Sequence, residues 1–300
     1  MWLKEPCTLN STIAFVGTHD LCSYVVRGDD VLIVGGGMSH GTPALERQLD
    51  DMALDPARVK YAVVTHSHFD HCGAIPFLRK RYPALQVLGT AASAEALSKP
   101  KVAAYNARMN DVAAEQAQVF DRCLHLCDCP SALGIDRTVS EGETLDLGRG
   151  VVVEFHEVPG HSKCCVATYV PSCMALFPTD TSPQPVSSHR DLSFPSAQYD
   201  FALYVASLRR LMEFDVDILG MDHYGVLLHE QAREYLRLGL EKTLSFGEEV
   251  RRRYAQSGDL DEVSRYFACE GQEKVKLPFI TEELMFIITR AMIKSIVSAD

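Results

Sequence analysis

Two rhythms of apolar positions run through the chain. Short unbroken apolar runs at residues 31–34 and 61–65 are bounded by Gly35-Gly36-Gly37 and by a loop crowded with histidine, and they predict buried strands. Residues 151–155 alternate apolar with polar, and 166–170 and 174–177 flank a Pro171-Ser172 turn, so three more strands are expected there. Helical spacing over 43–52, 74–82 and the alanine-rich stretch 101–120 separates the strands, with the last of these expected to be an insertion. Strands interleaved with helices make this an α/β chain. Residues 182–195, with three prolines and several serines, predict a long loop bordering a site.

Beyond Asp222-His223-Tyr224 the pattern turns helical, over 229–254 and 281–297. Thr281 is placed to cap the second of these, with Glu282 and Glu283 in its first turn. Leu284, Ile287, Ile288, Ala291, Met292 and Ile296 recur at helical spacing, and that stripe must be covered. The division expected is therefore a domain over residues 1–226 and a helical extension over 227–300, which packs on the domain or forms a homodimer interface.

Composition narrows the function classes. With 300 residues, 47% apolar and 23% charged, the chain is an ordinary globular one, neither fibrous nor disordered. A net charge of -11 opposes a grip on nucleic acid or on an anionic membrane surface. No apolar run approaches the ~18 residues of a membrane span, and Met1-Trp2-Leu3-Lys4-Glu5-Pro6 has no signal-peptide core, so a cytoplasmic protein is expected. Its ten cysteines, irregularly spaced, are read as thiols.

The chemistry concentrates in Thr65-His66-Ser67-His68-Phe69-Asp70-His71-Cys72-Gly73, where a strand enters a loop with four metal ligands in six positions. Residues two apart in an extended segment point the same way, so His66 and His68 can share one ion while the turn aims Asp70 and His71 at a neighbour. Imidazole and carboxylate donors without thiolate suit zinc, iron or manganese. Further ligands stand after other apolar runs: His161 in Pro159-Gly160-His161-Ser162, Asp180 in Phe177-Pro178-Thr179-Asp180, and His223.

With those marks in that order, residues 10–226 resemble the metallo-β-lactamase superfamily, whose sequence marks are H-x-H-x-D-H, a Gly-His, an Asp after a strand and a late His. The resemblance implies an αββα sandwich with a dinuclear site at one edge. It makes His66, His68 and His161 the ligands of a first divalent metal and Asp70, His71 and His223 those of a second, with Asp180 bridging; zinc is the first expectation, iron and manganese the alternatives. Two such ions can hold a shared hydroxide as nucleophile. Asp70 would orient it and Tyr224 would donate to the developing oxyanion; a packed tyrosine is the plain alternative for Tyr224.

The chain also departs from the pattern. Val34-Gly35-Gly36-Gly37 stands where many members have Asp-Thr-Gly, which removes an acidic support of the ligands; Thr179 and Ala74 replace common glycines. His19, His40, His125, His156 and His229 are given structural roles. His189 and Arg190 are candidates for an anionic substrate or a solvated loop pair, and Cys123, Cys127 and Cys129 are one ligand short of a zinc site.

The function expected is a metal-dependent hydrolase of a small-molecule ester-like bond, a thioester or lactone before a phosphodiester, with residues 101–120 and the helical tail capping a pocket. Two other classes compete. A diiron oxidoreductase reducing dioxygen or nitric oxide would place glutamate where His68 stands, and a non-catalytic ligand sensor would draw on the altered residues 34–37.

Overall fold

The apolar runs carry almost no polar residues because each sheet is covered on both faces. In the strand Val31–Val34, Val31 and Ile33 join a core under helices, while Leu32 and Val34 join a core between sheets. The computed structural model describes residues 1–298, Arg122 by its backbone alone.

One sheet runs in the order β2 (Cys7–Thr8), β3 (Ile13–Gly17), β4 (Cys22–Arg27), β5 (Val31–Val34), β6 (Val59–Val63), β7 (Gln86–Thr90) and β8 (Arg137–Val139). The other runs β1 (Trp2–Leu3), β14 (Val226–Leu228), β13 (Ile218–Gly220), β12 (Ala175–Phe177), β11 (Val166–Val170), β10 (Val152–Glu157) and β9 (Thr144–Asp146). Phe15, Tyr24, Val63, Phe155, Val166 and Phe177 fill the space between them. Helices α1 (Thr42–Asp51), α2 (Ile75–Arg81), α3 (Ala91–Ser98) and α4 (Pro100–Gln116) cover the first sheet. Helices α5 (Phe201–Leu211), α6 (Glu230–Ser257), α7 (Leu260–Lys274) and α8 (Glu282–Val297) cover the second. The architecture is an αββα sandwich with C-terminal helices.

Several elements differ from the pattern reading. The first and last parts of the second sheet meet, Trp2 opposite Leu227, so the boundary expected after residue 226 cuts β14 and the helical extension begins at Glu230. Strands β3 and β4 and helices α5 and α7 are additional elements. In α8 the Thr281 Oγ1 caps Leu284 N at 3.2 Å, and Leu284, Met285, Thr289, Met292, Ile293 and Ile296 are buried against this chain's own helices. Ile287, expected within the covered stripe, is 54% exposed.

Helix α4, expected as an insertion, ends at Gln116 and braces the loop after β6. Asn106 Nδ2 donates to Ser67 O at 2.9 Å; Asn110 Nδ2 donates to Phe69 O at 2.7 Å and to Asn106 O at 3.0 Å, while its Oδ1 accepts from Ser39 N at 2.8 Å. Gly73 makes room for this brace, since a Cβ there would lie 1.9 Å from Asn110 Oδ1. Gly73→Ala is expected to destabilise the protein by about 1–3 kcal/mol through overpacking. Combining it with Asn110→Ala should cost less than the two single changes added together, as read by urea denaturation; strict additivity would show that the clash is not the cause.

Candidate metal centre

Four connections at one edge of the sandwich deliver the polar cluster. His66, His68, Asp70 and His71 follow β6, His161 lies between β10 and β11, Asp180 follows β12 and His223 follows β13. The sheets are tied at this edge by Val166 N donating to Thr65 O at 2.9 Å and by Cys22 N donating to Asp222 O at 2.8 Å. The loop positions are therefore held by both layers.

All seven expected ligands converge. His66 Nε2, His68 Nδ1 and His161 Nε2 form a triangle with sides of 3.1, 3.0 and 3.1 Å. These edges approach the ~3.3 Å expected of a tetrahedron with zinc–nitrogen distances of ~2.0–2.1 Å. Asp70, His71 and His223 form a second group, and His66, His71 and Asp180 a third that joins the two. Asp180 lies between them, with Oδ2 at 3.5 Å from His161 Nε2 and 3.3 Å from His71 Nε2, and Oδ1 at 3.7 Å from His223 Nε2. Asp70 Oδ2 stands 3.4 Å from His71 Nε2 and 3.6 Å from His223 Nε2.

The far nitrogens fix the tautomers. His161 Nδ1 donates to Ser196 O at 2.6 Å, His223 Nδ1 to Asp20 O at 2.5 Å and His71 Nδ1 to Asp222 Oδ2 at 3.1 Å, which turns each Nε2 lone pair inward. His66 Nδ1 is 3.1 Å from Thr179 Oγ1. That contact gives a purpose to a threonine at φ +53, a backbone conformation that costs a β-branched residue of order 1–3 kcal/mol.

Asp222 supplies the support that Gly35 lacks. Its Oδ2 also accepts from Thr65 Oγ1 at 2.8 Å, and its carboxylate is buried. The glycines serve close packing instead. A Cβ at Gly36 would lie 2.3 Å from His71 O, and Gly36 O and Gly37 O accept from Ala74 N and Gly73 N at 2.6 and 2.7 Å. Ala74, at φ -85, sits in ordinary helical space and has no need of glycine. Asp222 was legible only as the neighbour of His223, and Asn106, Asn110 and Ser196 carried no motif.

Electrostatics fit a divalent cation. Burial pushes the pKa values of His66, His68 and His161 down, to about 3 for His68, leaving neutral ligands. Burial alone would raise Asp70 and Asp180, but the neighbouring imidazoles hold both below the usual carboxylate range. Burial would also lower His71, yet Asp70 and Asp180 draw it well above the ordinary histidine value. A proton there balances the carboxylates, which is the charge a metal would bring. His71 Nε2 is buried without a hydrogen-bond partner, as a ligand atom would be.

Of the ligand and catalytic candidates, Tyr224 is the one that lies outside both the ligand groups and the cavity lining. Its hydroxyl accepts from Lys276 N at 3.1 Å and its ring packs edge-on against His19, so it is turned away from the developing charge that the sequence reading gave it. His189 Nε2 and Arg190 Nη2 both pair with Glu234, at 2.5 and 3.1 Å, which ties the 182–195 loop to α6. His125 stacks on Phe120, His156 pairs with Glu141 and Glu154, and His229 pairs with Asp217. All ten cysteines are free, and none joins a metal-ligand group among the described residues. No helix among the described residues is long and apolar enough to cross a membrane.

The sequence model of the metallo-beta-lactamase superfamily matches residues 19–223. The metallo-beta-lactamase fold-containing protein ST1585 of Sulfurisphaera tokodaii is 23% identical over 220 residues, 73% of this chain and 78% of its own. Among solved structures, BJP-1, a subclass B3 metallo-beta-lactamase of Bradyrhizobium japonicum, superposes with a TM-score of 0.58 at 17% identity, covering 84% of this chain and 96% of that one. A Cronobacter sakazakii metallo-beta-lactamase with a HARLDQ motif gives 0.54 at 18% identity over 98% of both chains. The chain belongs to the metallo-β-lactamase superfamily, whose members are typically metal-dependent hydrolases that bind divalent metals, usually zinc.

Two outcomes are expected. Chelation should lower the melting temperature and readdition of metal restore it, since a ligand at 100 times its dissociation constant stabilises the folded state by about 2.7 kcal/mol; an unchanged melting temperature in protein proven metal-bound beforehand would contradict the site. Asp222→Ala should weaken one of the two metal equilibria by roughly 10–100-fold while sparing the other; calorimetric titration showing both unchanged would remove Asp222 from the ligand support.

Proposed function

We propose that the protein is a metal-dependent hydrolase of a small-molecule ester-like bond, with a thioester or lactone as the first substrate class and a phosphodiester as the second. The observation that carries this reading is the position of Asp180 between two complete ligand groups at the floor of a cavity of about 270 Å³. Cations held there would lower the pKa of water and polarise the scissile carbonyl. We assign zinc first, with iron or manganese compatible with the same nitrogen and oxygen donors.

The chain's own groups supply the rest. Asp70, kept ionised by the imidazoles around it and bordering the cavity, accepts a hydrogen bond from the attacking water. Gln184 Nε2 donates to Asp180 Oδ1 at 3.2 Å and holds that carboxylate in place. Phe69, Leu284 and Met292 keep bulk water from the reacting bond. The cover formed by α4, α7 and α8 favours a small molecule over a polymer.

The competing classes have less support. His68 contributes Nδ1 to the first triangle, where the diiron oxidoreductase reading calls for glutamate. The sensor reading drew on the missing acid at residues 34–37, and Asp222 makes up for it.

Protein purified without added metal should carry close to two zinc or manganese ions per chain by elemental analysis. His68→Ala and Asp180→Asn should then abolish hydrolysis across thioesters, lactones and phosphodiesters in folded, metal-loaded protein. Full turnover by either variant would overturn the assignment, and two irons with oxygen uptake would replace it with the oxidoreductase.

A further inference from the structure

Away from its metal-ligand floor, the cavity is walled by Phe69 of the ligand loop, Tyr105 of α4, Phe194 of the 182–195 loop, and Leu284, Ile288 and Met292 of α8. Beyond the ligands themselves, no Lys, Arg, Asp or Glu occurs among the described residues of this wall, and its polar members, such as Gln184, Gln198 and Thr289, are neutral. The basic side chains around the wall are engaged elsewhere: His189 and Arg190 pair with Glu234, Lys274 pairs with Glu270 at 2.6 Å, and Lys242 lies over the Phe194 ring, 5.7 Å from its centroid. The wall is continuous with the floor, so a carbonyl placed at the cluster directs one of its two substituents against α8.

Resting on the hydrolase reading, we infer that this wall receives the acyl part of the substrate and that the acyl part is uncharged and apolar. A carboxylate at the far end of the acyl chain would be buried against Leu284, Ile288 and Met292 with no counter-charge, and an ammonium would fare no better there. A carboxylate closer to the carbonyl would be drawn to the cations and pull the scissile bond out of place. The exposed rim, with Tyr105 at 52% and Ile287 at 54%, leaves the other substituent toward solvent. On this assignment selection falls on the acyl side.

The test compares thioesters of one thiol whose acyl groups are hexanoyl, adipoyl and 6-aminohexanoyl, in metal-loaded protein. The hexanoyl ester is expected to exceed both charged esters by at least 100-fold in kcat/KM. Ile288→Lys, with its folding checked by circular dichroism, should raise the adipoyl ester relative to the hexanoyl ester by tenfold or more, whereas Ile287→Lys, at the exposed rim that faces the other substituent, should leave that ratio unchanged. Hexanamide and adipamate, which lack the thioester, report binding by calorimetry without turnover. Equal turnover of all three esters, or an adipoyl preference in the unaltered protein, overturns the acyl assignment and leaves the hydrolase standing. No turnover of any of these esters, nor of a lactone or a phosphodiester, with hexanamide binding that Ile288→Lys weakens, upholds the apolar wall and overturns the hydrolase. Neither turnover nor hexanamide binding overturns both.

Discussion

The structure depends on balancing buried negative charge at one edge of the sandwich. Asp70, Asp180 and Asp222 lie within contact of His71, and all are largely shielded from water. Left uncompensated, such carboxylates would take up protons or oppose folding. His71 carries the compensating charge when it is protonated, as Asp70 and Asp180 draw its pKa well above the ordinary histidine value against the opposing effect of burial. The three neutral imidazoles of His66, His68 and His161 face the same point with their lone pairs free. Neutral donors on one side and surplus carboxylate on the other suit two divalent ions better than one.

Holding that arrangement requires backbone that cannot drift. The ligand loop after β6 is pinned from below by the carbonyls of Gly36 and Gly37 and from the side by Asn106 and Asn110. Two of these contacts are close enough to exclude a side chain, at Gly36 beneath His71 O and at Gly73 beside Asn110, whereas a Cβ at Gly37 would meet nothing within 4 Å. Gly36 and Gly73 are thus packing requirements, and acidic support cannot come easily from the same turn. Gly35 is at φ +90, where a carboxylate-bearing residue is strained, and the acid instead comes from Asp222 on the opposite sheet.

The candidate ligands were legible because metal chemistry constrains residue type and spacing at once, and the strands were legible where both faces are buried, as in β5 and β11. What stayed hidden depends on contacts between residues distant in sequence. Asp222 supports His71 across the two sheets, Asn110 reaches Phe69 from a helix whose pattern reads as an insertion, and Ser196 offers a backbone carbonyl, which no side-chain pattern can mark. Tyr224 illustrates the reverse case. Adjacency to a ligand suggested a role at the reacting centre, but its left-handed backbone, φ +67, turns the ring toward His19 and the hydroxyl toward Lys276. The stripe of α8 was read in the right place, with Ile287 left outside because the helix buries Met285, Thr289 and Ile293 instead.

The cover over the metal edge comes from two sources with different freedom to change. Helix α4 contributes Tyr105 to the rim and, one residue later, Asn106 to the ligand loop, so altering that part of the wall disturbs the site beneath it. Helix α8 contributes Leu284, Ile288 and Met292 to the wall but none of the hydrogen bonds that orient a ligand. It follows the last candidate ligand in the chain and packs on α6 and α7, while Leu284 clusters with Phe69 of the ligand loop and Ser295 holds Ala197 O beside the Ser196 carbonyl that orients His161. The fold sets its candidate ligands at strand ends and walls the cavity with a later helix, so ligand geometry and cavity lining come from different elements, and in this chain that later helix makes its part of the wall largely apolar.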